Sequence, residues 1–412
     1  MPTVYEPTDS IAGSVTRRTV LTAAAATAAA AAAPVLTGAP SAEAAARPAA
    51  QPARAAADGR SDLLFIGTWQ GTEIYGARFD PATGTLTALG PVGAAVSNWA
   101  TMHPRLPILY VGSGLSGGYV YSFAIDRTTG ALTQTGTVAT DSVSTANGGG
   151  LSYIAVDEPS STLLVADFEA GTTITLPLGP DGALGDPVSS VADTGSGPNA
   201  RQAGPHPHQA VVDPSGRYVL VPDFGADHVF IYPFDRATRV LRPGPGGPAA
   251  FPVTPGSGPR RIWFHPSTGT AYLLSELTAG LQVLSWDPRR AALGQVQALS
   301  TNSAGFTGTS SAAELALSRD GRFAYASNRG ENTLAVYAID QRTGLLGFVQ
   351  RLPCGGTTPW SFTLHPSGRW LLVANEVSNT VNVFSCDPRT GLLAATGASL
   401  PVPNPDGITF AV

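Results

Sequence analysis

A short acidic turn returns seven times along this chain, and a repeat of that length constrains the fold before any single residue does. The copies read FDPATGTLTALG from Phe79, IDRTTGALTQTG from Ile125, LGPDGALGDP from Leu178, FDRATRVLRPG from Phe234, WDPRRAALGQVQ from Trp286, IDQRTGLLGFVQ from Ile339 and CDPRTGLLAATG from Cys386. Their aspartates, Asp80, Asp126, Asp181, Asp235, Asp287, Asp340 and Asp387, are spaced by 46, 55, 54, 52, 53 and 47 residues.

Upstream of the turn each repeat carries a hairpin. It is clearest in FTLHPSGRWLLVANEVSNTVNVFSCD from Phe362, and recurs in AVVDPSGRYVLVPDFGADHVFIYPFD from Ala210 and LALSRDGRFAYASNRGENTLAVYAID from Leu315. Runs of Val, Leu, Phe and Tyr supply strands, and Ser-Gly or Asp-Gly pairs supply tight turns. Nothing after residue 60 keeps a helical apolar period. A period near 50 with strand-only content predicts an all-β, seven-bladed β-propeller over residues 61–412, one four-stranded blade per repeat. The apolar tail Ile408-Thr409-Phe410-Ala411-Val412 has no hairpin of its own. It is expected to close the ring by pairing with the N-terminal blade beside Leu63 to Thr68.

Composition agrees: 47 glycines and 35 prolines against 13% charged residues favour short strands and turns. The net charge of −5, with no basic run beyond the N-terminus, argues against a nucleic-acid partner. Cys354 and Cys386 are too few for a disulfide scaffold, and they fall at opposite ends of the last blade, too far apart to bridge. No Cys/His group has zinc-site spacing, so neither metal nor cofactor is expected.

The N-terminus is a different kind of sequence. Ser14-Val15-Thr16-Arg17-Arg18-Thr19-Val20-Leu21 runs into an alanine stretch ending near Leu36, followed by small residues at Ser41 to Ala46. This reads as a twin-arginine (Tat) signal peptide over 1–46, a partner of the Tat translocase during export, with an Ala/Pro/Arg-rich leader over 47–60. The mature chain is expected to be secreted, with no membrane span.

In a propeller the start of the innermost strand and the end of the second strand share one face. The unusual side chains at those points are His206, His208 and Asp223 in blade 4, Arg260 and Glu276 in blade 5, Glu314, Asn328 and Arg329 in blade 6, and Trp360 and Glu376 in blade 7. Blade 3 offers Ser152-Tyr153 and Asp167. The separations His208 to Asp223, Arg260 to Glu276, Glu314 to Arg329 and Trp360 to Glu376 are 15, 16, 15 and 16 residues, so these side chains should converge on one channel mouth. Imidazole suits a general base, guanidinium groups suit an oxyanion or carboxylate, and Glu276 can relay a proton if its surroundings raise its pKa. Arg260 and Arg329 can alternatively pair with Glu276 and Glu314 as a purely structural ring. Arg261, next to Arg260, should point away by strand alternation. His265 and His365 lie in His-Pro-Ser turns on the other face and His228 in a surface turn.

At these residues the chain resembles the seven-bladed lactonase family, which contains 6-phosphogluconolactonases and carboxy-muconate cyclases. The resemblance covers residues 62–412 and is carried by FIGTW, GSGPNARQAGPHPHQAVVDPSGRYVLVPDFGAD, GSGPRRIWFHPSTGTAYLLSEL, AAELALSRDGRFAYASNRGENTLAVY and PSGRWLLVANEVSNTVNVF. It implies a catalytic set of His208, Arg260, Glu276 and Arg329, with His206, Asp223, Glu314, Asn328, Trp360 and Glu376 as substrate-binding candidates, and metal-independent opening of a small sugar-derived lactone by a carboxylic ester hydrolase. Trp360 stands where the family commonly has arginine, which argues against phosphate recognition. The competing readings are a non-catalytic propeller that binds a glycan or protein through Trp99, Tyr153 and Trp360, and a muconate-type lactonizing cyclase.

Overall fold

In the last repeat the run WLLVA is apolar at every position because its strand has packing on both faces. The computed structural model describes residues 61–114, 118–141, 150–244 and 247–411, so the signal and leader segments expected over 1–60 lie outside the described residues. In blade 7 the strands Pro359–Leu364, Trp370–Asn375, Thr380–Cys386 and Leu393–Pro401 pair antiparallel in that order. Leu371 and Val373 pack into the cluster shared with blade 6, whereas Leu372 and Ala374 pack into the cluster shared with blade 1. Alternation along one strand thus feeds two interfaces, which is why the run has no polar positions.

The described residues form seven sheets and seven apolar clusters, each cluster between two neighbouring blades. The acidic repeat is the turn between the third and fourth strands. Asp340 Oδ1 accepts from the backbone N–H of Arg342 and Thr343 at 2.9 and 2.8 Å, and Gly344 takes φ +73° to finish the turn. The copies at Asp126 and Asp387 do the same with Thr128 and Arg389.

The ring closes as the sequence predicts. Pro405–Phe410 is the innermost strand of the first blade, followed outward by Asp62–Thr68, Glu73–Asp80 and Thr85–Ala94. Leu64 faces Phe410 and Ile66 faces Ile408 across the seam. His365 Nε2 meets Asp62 Oδ2 at 2.8 Å and Trp370 Nε1 donates to the Pro81 carbonyl at 2.9 Å, so turns of blade 7 are tied to blade 1. His265 likewise bonds the Gly321 carbonyl at 2.9 Å. Both histidines are buried turn residues, and His228 is half-buried, bonded to the Ala226 carbonyl and stacked on Phe230. Cys354 and Cys386 are free and buried; Cys354 Sγ donates to the Gly356 carbonyl and Cys386 Sγ lies 3.1 Å from the Tyr325 hydroxyl.

Blade 4 departs from the pattern where it matters. Its innermost strand pairs regularly only at Val211–Val212. Upstream, Pro205 and Pro207 have no N–H to give, and the backbone is held by a single bridge from Pro207 to Asp223 and by the His208 N–H donating to the Pro222 carbonyl at 2.9 Å. This irregular segment carries His206 and His208.

Candidate active site

At the face where the innermost strands begin, the antiparallel register slips. It slips between Leu151 and Tyr153 in blade 3, Pro259 and Arg261 in blade 5, and Pro359 and Ser361 in blade 7. Each slip is a β-bulge, and the inserted residue escapes strict alternation. Those residues are Ser152, Arg260 and Trp360, and all three line one pocket of about 110 Å³ on the channel axis. The bulge overturns one expectation: Arg261 does not point away from Arg260, and both guanidinium groups are buried against the same pocket.

Glu276 is the hub of the pocket. Its Oε1 accepts from Arg201 Nη1 and Arg329 Nη2, each at 2.8 Å, and its Oε2 accepts from Arg260 Nε at 3.1 Å. Burial alone would raise the pKa of this carboxyl, but Arg329, Arg201 and Arg260 together hold it far below the usual glutamate range. Glu276 is therefore a fixed anion that orients guanidinium groups, and the proton-relay role expected for it does not fit. Burial, with Arg261 and Arg329 close by, presses the Arg260 guanidinium down to about 9, which leaves it charged at neutral pH. Arg260 Nη1 also donates to the Ala313 carbonyl. Arg329 lies 4.6 Å over the Trp360 ring, and its buried Nε has no partner among the described residues.

His208 is buried, and burial together with the charges of Arg260 and Arg261 lowers its pKa well below that of a free imidazole. The ring is neutral at neutral pH. Arg261 Nη1 lies 3.2 Å from His208 Nδ1, and a guanidinium can only donate, so Nδ1 is the acceptor and the ring proton sits on Nε2. The lone pair that a general base needs is thus engaged by Arg261. The nitrogen that remains is an N–H donor, which corrects the base role expected for His208.

Beneath the pocket, Arg261 Nε donates to both oxygens of Glu314 at 3.1 Å, and its guanidinium lies against both Trp99 and Tyr153, 4.6 and 5.0 Å from the centres of two rings that themselves pack at 5.0 Å. On the far side a second cavity of about 380 Å³ runs along Tyr153, Trp263, Glu314, Phe362 and Phe410. The ion pair is the floor between the two.

Of the ten residues expected at the mouth, His208, Arg260, Glu276, Arg329 and Trp360 line the pocket. Five do not. Glu314 lies under the floor with Arg261. His206 stacks on Phe168 at 4.3 Å and bonds the Phe168 carbonyl, so it buttresses the wall from behind. Asp223 is consumed by the backbone N–H groups of His206 and Ala226 at 2.9 and 2.7 Å, fixing the segment that carries His208. Its carboxyl is also within hydrogen-bonding reach of Asp193, whose other oxygen accepts from the Tyr232 hydroxyl. Burial raises the pKa of both aspartates, and the Asp223 charge adds to the effect at Asp193. Asn328 is buried and off the pocket, donating to Asn302 Oδ1 at 2.7 Å and accepting from the Glu331 N–H. Glu376 lies off the pocket, half-buried, with its pKa raised by burial against the opposing effect of Arg329.

The sequence reading missed Trp69, Asn98, Phe168 and Glu169 on the pocket lining, and Arg201, which reaches the site through Glu276; Arg201, Asn98 and Glu169 sit on irregular connections, and Trp69 and Phe168 just past a second strand. Trp69 packs on Trp360 at 4.8 Å between ring centres, forming an aromatic wall across from His208. Among the described residues no three His, Cys, Asp or Glu side chains gather as metal ligands.

Residues 63–410 match the family model for the lactonase, seven-bladed β-propeller. The chain belongs to that lactonase family. This lactonase-family chain is 32% identical to the 6-phosphogluconolactonase of Bacillus subtilis over 250 residues, 61% of its own length and 68% of the relative's. The solved periplasmic gluconolactonase of Pseudomonas aeruginosa superposes with a TM-score of 0.76 at 32% identity, covering 86% of this chain and 99% of that one. A protein of Lactobacillus plantarum superposes at 0.77 and 27% identity, covering 85% and 99%. The fold expected from the repeats and the family expected from the resemblance therefore hold over residues 63–410.

Proposed function

We propose that this chain hydrolyses small lactones in the upper pocket, taking an uncharged, sugar-derived ring as substrate. The observation that carries the reading is the convergence of Arg260, Arg329 and a neutral His208 on one enclosed space, around a carboxylate that fixes the guanidinium groups. When water adds to a lactone carbonyl, the carbonyl oxygen gains a full negative charge. Buried and nearly buried donors held in place by Glu276 stabilise that charge without having to reorganise. The names of the relatives, lactonases for gluconate-type rings, support the same reaction class.

Charge supports the uncharged substrate. The pocket lining carries the guanidinium groups of Arg260, Arg261 and Arg329 and the carboxylates of Glu169 and Glu276, which leaves one positive charge in excess. That surplus suits an oxyanion or a single product carboxylate better than an added phosphate dianion. The Trp69–Trp360 wall offers an apolar face for a sugar ring. It also favours, as a second reading, a propeller that only binds a glycan. A pH-stat panel of glucono-lactones, phosphorylated and not, separates these: acid release well above the buffer rate is expected for the unphosphorylated ring. No acceleration with any lactone leaves the binding reading, and acid consumption with a muconate would favour the cyclase direction.

We also propose export by the twin-arginine route, on the strength of Arg17-Arg18 ahead of the alanine stretch. Fractionated cells should hold wild type outside the cytoplasm and the Arg17→Lys/Arg18→Lys variant inside it. Equal export of both would reject the route.

A further inference from the structure

Lactone hydrolysis needs a group that takes a proton from the attacking water, and most of the pocket is disqualified. His208 carries its proton on the only free nitrogen, because Arg261 occupies the other. Glu276 is engaged by three guanidinium groups. The Ser152 hydroxyl donates to the Pro207 carbonyl at 2.8 Å, and the arginines stay protonated. The remaining titratable side chain on the pocket wall is Glu169.

We infer that Glu169 is the general base of lactone opening. The inference rests on the hydrolase reading above. Glu169 follows Phe168 just past Thr162–Asp167, the second strand of blade 3. Its backbone N–H is held by the Gly150 carbonyl, and its carboxylate has no hydrogen-bond or ion-pair partner among the described residues. Gly150 makes room for it: a Cβ there would meet Glu169 Cγ at 3.2 Å. Blade 3 is three places round the ring from blade 6, which carries Arg329, with His208 of blade 4 and Arg260 of blade 5 between them. A lactone bound between these walls therefore presents its carbonyl oxygen to the guanidinium groups and its carbonyl carbon to a water on the Glu169 side.

The step balances. The Glu169 carboxylate takes a proton from water as the water oxygen bonds to the carbonyl carbon, and the C=O pair moves onto oxygen beside Arg260 and Arg329. Collapse of that oxyanion breaks the ring C–O bond, and the Glu169 carboxylic acid returns its proton to the departing alkoxide. The product is a hydroxy acid, and the base is restored.

The test uses the full chain with Glu169→Gln, Glu169→Asp and His208→Asn, assayed on the lactone that wild type opens fastest. Glu169→Gln is expected to lower kcat by about 10²- to 10⁴-fold with KM little changed and to erase the acid limb of the pH–rate profile. Glu169→Asp should recover part of the rate and the limb, which a merely structural role would not produce. His208→Asn should lower kcat but keep the limb. An active wild type with Glu169→Gln equally fast and the limb intact overturns the assignment; so does a limb that vanishes only in His208→Asn. A wild type inactive on every lactone instead removes the hydrolase reading itself.

Discussion

Glu276→Gln is expected to lower kcat/KM on a lactone by about 10³-fold, because the donors for the oxyanion lose the anion that orients them. The same variant should lose about 3–5 kcal/mol of stability, the cost of stranding buried charges once one member of a buried pair is removed. Arg260 is fully enclosed and already pressed down to about 9; without Glu276 it faces Arg261 and Arg329 with less compensation. The stability loss depends on pH in a defined direction. Glu276 has a folded pKa below its unfolded value, so its stabilisation is complete above the ordinary glutamate range and fades as pH falls toward the folded value. The gap between wild type and variant should therefore be widest near neutrality and narrow in acid. Denaturant midpoints at several pH values, alongside initial rates, check both halves; wild-type values in both would make Glu276 a bystander.

Deleting residues 403–412 should abolish the cooperative fold altogether. The lost strand, Pro405–Phe410, is the innermost of its blade, and it buries Ile408 and Phe410 against Leu64, Ile66 and Phe79. Each such side chain is worth about 1.5–3 kcal/mol when buried, so losing the strand with Ala411, and the cover it gives Val402, approaches the whole margin of about 5–15 kcal/mol that a domain possesses. The deletion also bares the edge of Asp62–Thr68, an invitation to aggregate. Calorimetry should show no sharp transition, and a peptide of the missing residues added back should restore one. A truncated chain that melts like wild type would mean the seam contributes little.

The fold was legible because its signals are local and repeated. The acidic turn needs an aspartate and a glycine at fixed places, as Asp340 and Gly344 illustrate, and two-sided burial writes itself into runs such as WLLVA. The spacing of 15 or 16 residues between rim positions found His208, Arg260, Glu276, Arg329 and Trp360, since regular strands convert residue number into height. It failed where the strand is not regular. The bulge at Arg260 inserts one residue with no compositional mark, which turned Arg261 inward against the rule of alternation. Arg201 and Glu169 sit on connections, where sequence position says nothing about direction. The roles of His208 and Glu276 were misread for another reason: protonation follows from the sum of neighbouring charges, and that sum exists only after Arg201, Arg260, Arg261 and Arg329 have come together.

The Arg261–Glu314 pair, with its guanidinium against Trp99 and Tyr153, stands between the upper pocket, which Arg261 lines, and the cavity beyond, which Glu314 lines. A molecule that enters from the rim is therefore expected to leave by the rim. Reactant and spent acid would then share one doorway, which predicts that the hydroxy acid inhibits in competition with the lactone.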